Sequence, residues 1–312
     1  MTRKTILLIS VVIIIAALSV FWLSREPVPK SAESSLEKIQ VATTIFPLKS
    51  IAEEIGGDRI EVELILPPGA SPHTYEPTMS SVTNLQGVEL VFAIGQGLDG
   101  WVVDLIPDSA VVKEVSQGID LIRISAEGEL GHEEEGQDSA DHSHGDYNPH
   151  YWLSATGGQQ IANNIVAGLI DIDPAGRETY EQNLDIFLKD LLAADQRIKE
   201  QLSDLEKEEM VTFHDAWPYF AREYGLEIAA TFEPVPGKEP TPQYLEKLQA
   251  EVEQNDVEVI FSEPQLSTQA LQPFLDDMDV VVAVLDPLGG EGDDLSFVSL
   301  LEKNARVIEQ SL

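Results

Sequence analysis

Cysteine is absent from all 312 residues, which excludes disulfides and any thiolate metal site at once. Basic residues are scarce: 19 Lys and Arg stand against 55 Asp and Glu, for a formal charge of -36. Nucleic acid is therefore not an expected partner, because neutralising phosphates takes Lys and Arg. Also missing are an H-E-x-x-H helix, a G-x-S-x-G elbow, a P-loop and a dinucleotide-binding glycine fingerprint. The common zinc-protease, serine-hydrolase and nucleotide-binding devices thus have no carrier here. The carboxylate excess attracts cations from a distance or simply keeps the chain soluble, and composition leaves both open.

Histidine is rare too, with six residues in two groups. His132, His142 and His144 lie in an acidic tract with several glycines, whereas His73, His150 and His214 each sit in a separate turn beside Pro or an apolar run. With Asp286, the second group supplies three imidazoles and one carboxylate, a set suited to a divalent first-row metal and to zinc before others. Four protein ligands close a zinc site, whereas a catalytic zinc keeps one position open. The alternative is a metal-dependent hydrolase using His73, His150 and His214 with Glu263 as base. Taken singly, each His is an ordinary loop or capping residue, so it is their joint placement that matters.

At this length the chain can bury one large core or two smaller ones. Short apolar or β-branched runs over 41–46, 59–66 and 90–94 are predicted strands, alternating with helical patterns over 48–55, 81–85 and 101–106. A second series places strands at 210–213, 228–232, 257–261 and 280–285, and helices at 216–224, 241–252, 268–275 and 295–312. Such alternation predicts two α/β lobes, each with a mainly parallel sheet flanked by helices. Between them, Tyr180, Leu184, Phe187, Leu191, Ile198, Leu202 and Leu205 keep helical spacing over 178–207. Thirty residues of helix would reach about 45 Å, enough to act as a spine across both lobes. The expected divisions are an N-terminal segment 1–24, a linker 25–38, a lobe 39–177 with an acidic loop 126–147, the spine 178–207 and a lobe 208–312. His214 and Asp286 then follow predicted strands, and His73 lies one loop beyond another. Open parallel sheets bind ligands on that side. His150 enters just ahead of a helical stretch at 156–169.

The N-terminus begins with Arg3 and Lys4, and residues 6–23 are apolar apart from Ser10 and Ser19. That run exceeds the roughly 7–15 residues of a signal-peptide core, and no A-x-A-like site follows it. It is near the roughly 17–25 residues that cross a bilayer, with Trp22 where an interfacial aromatic belongs. An uncleaved anchor is therefore expected over a cleaved signal, and the remainder is exported either way.

Several strings carry a resemblance. "PPGASPHTYEPT" around His73, "NPHYWLS" around His150, "VTFHDAWPYFAREYG" around His214, "FSEPQLS" and "VLDPLGG" around Asp286 are similar to the zinc/manganese substrate-binding proteins of bacterial ABC importers, the ZnuA/TroA-like family. The similarity runs from about residue 40 to the C-terminus with the motifs in the family's order. It implies two lobes joined by one long helix and metal ligation by His73, His150, His214 and Asp286, two from each lobe. It also implies capture of Zn2+ outside the cytoplasm and delivery to an ABC permease with its ATPase, by a monomer that is no enzyme. Some members are described as surface adhesins. His at the third position resembles the zinc branch, where a carboxylate would resemble the manganese one. Because Asp286 is a hard ligand, Mn2+ or Fe2+ remains the alternative cargo. Members often carry a His- and acid-rich loop where this chain has its short tract. There His132, His142 and His144 form an accessory metal site, or the tract is a solvated loop. The family's usual lipidated cysteine is lacking. Glu76 and Asp215 are expected to orient ligand imidazoles. Trp152, Trp217 and Tyr219 are expected to pack the inter-lobe core.

If residues 6–23 are an anchor, the mature protein keeps Met1 or Thr2 and stays with membranes through an alkaline carbonate wash. N-terminal sequencing of both fractions checks this; a soluble protein beginning downstream of Phe21 would refute it.

Overall fold

Apolar β-branched runs too short for stable helices become two four-stranded parallel sheets in the computed structural model of the chain. The structure describes residues 38–124, 146–233, 242–254, 257–265, 272, 275, 278, 280–290 and 296–312. The expected anchor and nearly all of the linker lie outside the described residues, as do His132, His142, His144 and most of the helix expected at 268–275. The first sheet contains β1 (Ile39–Thr43), β2 (Ile60–Leu64), β3 (Leu90–Ala93) and β4 (Val111–Glu114) in the order β2-β1-β3-β4. The second contains β5 (Glu209–His214), β6 (Glu227–Glu233), β7 (Val259–Ser262) and β8 (Val281–Val284) in the order β6-β5-β7-β8. Both sheets thus share one permutation, with the first strand internal and the order of strand addition reversing beside it.

Helices fill the connections: α1 (Phe46–Gly56), α2 (Met79–Asn84), α3 (Ala155–Ile172), α4 (Arg177–Leu202), α5 (Pro218–Tyr224), α6 (Pro242–Gln254) and α7 (Phe297–Ser311). Their ends follow local chemistry. Pro47 and Pro218 sit in first turns, where no intrahelical N–H is needed. Ser154 caps α3 by accepting from Gly157 N at 3.0 Å, and Ser296 with Ser299 forms a capping box on α7. Position 157 must be glycine, because a Cβ there would collide with the Tyr151 carbonyl.

The expected spine is α4, at 26 residues roughly 39 Å long. It ends before Ser203, five residues short of expectation, because residues 203–208 turn the chain into β5. Tyr180, Phe187, Leu191, Ala194, Ile198 and Leu202 form its buried stripe. Those side chains face α1 and α3 of the first series as well as α5 and α7 of the second. One apolar core therefore runs through both lobes, with smaller clusters on the far face of each sheet. Among the described residues no helix is long and apolar enough to cross a membrane.

Phe187 is fully buried and meets the Phe297 ring at 6.2 Å, so Phe187→Ala should lower unfolding free energy by about 3–5 kcal/mol. Leu192, 65 % exposed on the same helix, should lose less than about 1 kcal/mol on change to Ala. Denaturant titration of both variants measures the contrast.

Candidate metal centre

Three histidines separated by up to 141 positions meet where strands from both sheets end. His73 lies in the loop between β2 and α2, which holds Pro67, Pro68, Pro72 and Pro77. Four fixed φ angles restrict this loop before any contact forms. Trp101 then pins it, donating from Nε1 to Pro72 O at 3.1 Å, and Tyr75 packs edge-on against Trp101 at 4.8 Å. His150 ends the "NPH" string just ahead of the turn that leads into α3, and is buried. His214 is the last residue of β5, the strand beside which the second sheet's order reverses. That reversal is the topological switch point, where crossovers leave in opposite directions and open a crevice.

Their Nε2 atoms converge. His73 Nε2 is 3.0 Å, and His214 Nε2 3.2 Å, from His150 Nε2, and one ligand atom from each His lies within 4.8 Å of the others. Two nitrogens on one tetrahedral zinc sit about 3.3 Å apart, given Zn–N of about 2.0–2.1 Å. A cavity of about 10 Å³ adjoins the three rings, lined also by Pro72, Trp152, Glu263, Gln265 and Leu288. It has room for one ion-sized guest.

The hydrogen-bond pattern fixes two of the three tautomers. Asn148 Nδ2 donates to Asp215 O at 2.7 Å and Oδ2 at 3.1 Å. That turns Asn148 Oδ1 towards His150, where it accepts from the backbone N–H at 3.0 Å and from Nδ1 at 3.0 Å. His150 therefore carries its proton on Nδ1. Glu263 Oε1, buried on the residue after β7, accepts from His214 Nδ1 at 2.6 Å and from Trp217 Nε1 at 3.3 Å, so His214 is protonated on Nδ1 as well. Both Nε2 lone pairs then point at a common centre, as a cation requires. Burial, with His214 and His73 beside it, holds the His150 pKa well below its ordinary value. This keeps that imidazole neutral, the form that ligates metal.

Asp286 stands two residues beyond β8 and is buried. Its Oδ1 accepts from Gly289 N at 2.9 Å, Leu288 N at 3.1 Å and Gln265 Nε2 at 3.1 Å. Asn304 clasps its backbone in both directions, at 2.8 and 2.7 Å, and Lys303 Nζ lies 3.9 Å from Oδ2. Among the described residues, the group whose ligand atoms all lie within 4.8 Å comprises the three histidines alone. Asp286 is outside it, although its neighbours Pro287 and Leu288 and its partner Gln265 line the cavity.

The residues holding the converging rings differ from those expected. Asp215 does not take the His214 Nδ1 proton; Glu263 does, while Asp215 binds Asn148. Burial pushes the Asp215 carboxyl up to about 6, with His214 and the Asn148 hydrogen bond acting against it. Glu76 is exposed. Asn148 went unnoticed in the sequence, although an Asn two residues before a turn His is an Asx-turn signal. Trp152, Trp217 and Tyr219 are all buried in the shared core, as predicted. Trp152 also donates to Pro287 O at 2.7 Å, across the lobes.

The family profile described as "ZnuA: Zinc-uptake complex component A periplasmic" matches residues 41–311. The high-affinity zinc uptake system protein ZnuA of Bacillus subtilis (strain 168) is 30% identical over 291 residues, covering 90% of each chain. The manganese ABC transporter substrate-binding lipoprotein PsaA of Streptococcus pneumoniae is 28% identical over 297 residues, covering 90% of this chain and 91% of its own. A crystal structure of ZnuA superposes with a TM-score of 0.75 at 28% identity, over 88% of this chain and 99% of that one. The chain therefore belongs to the ZnuA family of zinc-uptake components, extracytoplasmic substrate-binding proteins of metal ABC transporters that bind and deliver rather than catalyse.

Proposed function

We propose that this protein captures Zn2+ outside the cytoplasm and hands it to an ABC permease coupled to its ATPase. The observation that carries the reading is the convergence of three imidazole Nε2 atoms, with His150 and His214 each held by a buried acceptor on Nδ1. His73, His150 and His214 would hold the ion, and Asp286 would complete the set through the oxygen not occupied by three N–H donors. Three neutral imidazoles and one carboxylate satisfy a tetrahedral zinc and leave no open position for activating water. Release follows from the same chemistry: an imidazole ligates only in its neutral form, so a proton arriving on Nε2 displaces the ion and affinity falls as pH falls.

Mn2+ is the second reading, supported by the hard Asp286 carboxylate and by the PsaA likeness. The protein would work as a monomer held to the membrane by residues 6–23. The tract with His132, His142 and His144 would bind a further ion weakly at most. A role as a surface adhesin would add to metal capture without using this site.

Competition titration of the full chain against a chelator of known affinity tests the assignment. One zinc should bind tightly, His214→Ala should remove most of that affinity, and deletion of residues 131–145 should leave it nearly intact. The opposite pattern would move the tight site to the acidic tract. His214→Glu should lose more zinc than manganese affinity; an unchanged ratio would return manganese as the cargo.

A further inference from the structure

Asn148 uses every polar atom it has, and it uses them across the seam between the lobes. On the N-terminal side, Oδ1 accepts from the His150 backbone N–H and Nδ1, both at 3.0 Å, and its N–H donates to Ile122 O at 2.8 Å. On the C-terminal side, Nδ2 donates to Asp215 O at 2.7 Å and Oδ2 at 3.1 Å. Its carbonyl accepts from the Tyr219 hydroxyl of α5 at 2.7 Å, and that hydroxyl accepts in turn from Ile122 N at 2.9 Å. Asp215 directly follows His214 on the chain. One buried amide thus ties a ligand from the first lobe to the residue beside a ligand from the second.

We infer that Asn148 is a positioning residue of the metal centre, setting the His150–His214 spacing by bridging the lobes to Asp215. The inference rests on the proposed ligand set. An amide suits this place because it accepts on one side and donates on the other. A carboxylate would hold His150 at least as firmly but has no N–H for Asp215. A hydrophobic residue would leave the His150 Nδ1–H, its backbone N–H and the Asp215 carbonyl without these partners, in a buried site where each is costly. A lost support behind a ligand histidine typically weakens metal binding by roughly 10- to 100-fold.

Donor and acceptor can be exchanged to test this. Asn148→Asp keeps the acceptor for His150 but sets two carboxylates against each other. Asn148→Asp combined with Asp215→Asn restores one N–H···O pair across the seam, in the reverse direction. In the full chain, Asn148→Asp should weaken zinc binding about tenfold or more, and the double variant should recover most of it. The visible absorption of bound Co2+, a readout of tetrahedral geometry, should lose intensity in the single variant and regain it in the double. Wild-type affinity in Asn148→Asp, or a double variant no better than the single, overturns the inference. If Asn148→Asp does not fold, the double variant still decides, since it should fold and bind if the bridge is what was lost. His214→Ala, titrated alongside, separates the two readings. If that variant keeps tight zinc, the ligand set itself is wrong; if it loses zinc while Asn148→Asp does not, only the bridge is wrong.

Discussion

Lone pairs on His150 Nε2 and His214 Nε2 face each other at 3.2 Å, and two neutral acceptors at that distance repel. The arrangement persists because each ring is held from behind, His150 by Asn148 and His214 by Glu263. A buried hydrogen bond contributes only about 1 kcal/mol net in most settings, but bonds to a charged partner such as Glu263 contribute more, about 1.5–3 kcal/mol. Together they hold the two nitrogens in a geometry whose repulsion a cation turns into attraction. The other features of the site serve that one constraint. Proline and Trp101 stiffen the His73 loop, while burial keeps His150 unprotonated.

The sheets explain how two halves of a chain can meet this demand at one point. Each has its first strand internal, so the strand order reverses beside β1 in one lobe and beside β5 in the other. The second lobe places His214 and Glu263 at the ends of β5 and β7, neighbours in the sheet, and the crevice between them opens towards the cavity. The spine α4 packs on helices of both series, so neither sheet can shift without disturbing the shared core. At the seam the polar ties Asn148–Asp215, Tyr219–Ile122 and Trp152–Pro287 add direction to that apolar contact.

Much of this was legible in the sequence, and the gaps have physical causes. The internal β3 and β7 are buried throughout, as parallel strands covered on both faces are, whereas the edge strand β8 is apolar yet mostly exposed. Strands β1–β3 and β5–β8 all announced themselves as short apolar or β-branched runs. β4 did not, since Val111–Glu114 is a partly exposed edge strand with Lys and Glu in it. The three histidines that converge were marked by their strings, but strand order was not, because pairing between distant segments leaves no local pattern. Asp215 misled for a related reason. Asp215 lies in the turn that follows β5, where its carboxylate meets Asn148, while Glu263, just past the end of the adjacent β7, reaches His214 Nδ1. Sequence neighbours and spatial neighbours part company at a strand end.

Glu263 also bears on metal choice. A ligand histidine whose Nδ1–H is given to a carboxylate becomes a more basic donor through Nε2, which favours a borderline metal such as zinc. The same carboxylate disfavours an oxygen ligand at position 214. A glutamate there would place a second negative group against Glu263, 2.6 Å from where the imidazole Nδ1 now sits, in surroundings too buried for solvent to screen it. One of the pair would have to take a proton, and the gain of a hard ligand would be partly cancelled. Residues 214 and 263 are therefore chemically matched: histidine with an acceptor behind it, or a carboxylate with a donor behind it. Asp286 belongs to the second kind, with three N–H groups on Oδ1. Three donors on one oxygen leave it little capacity to bind a metal, so a metal drawing on Asp286 would use Oδ2 alone. A single carboxylate oxygen beside three imidazoles makes a four-coordinate, nitrogen-rich set, which suits zinc better than a metal that prefers six oxygen ligands.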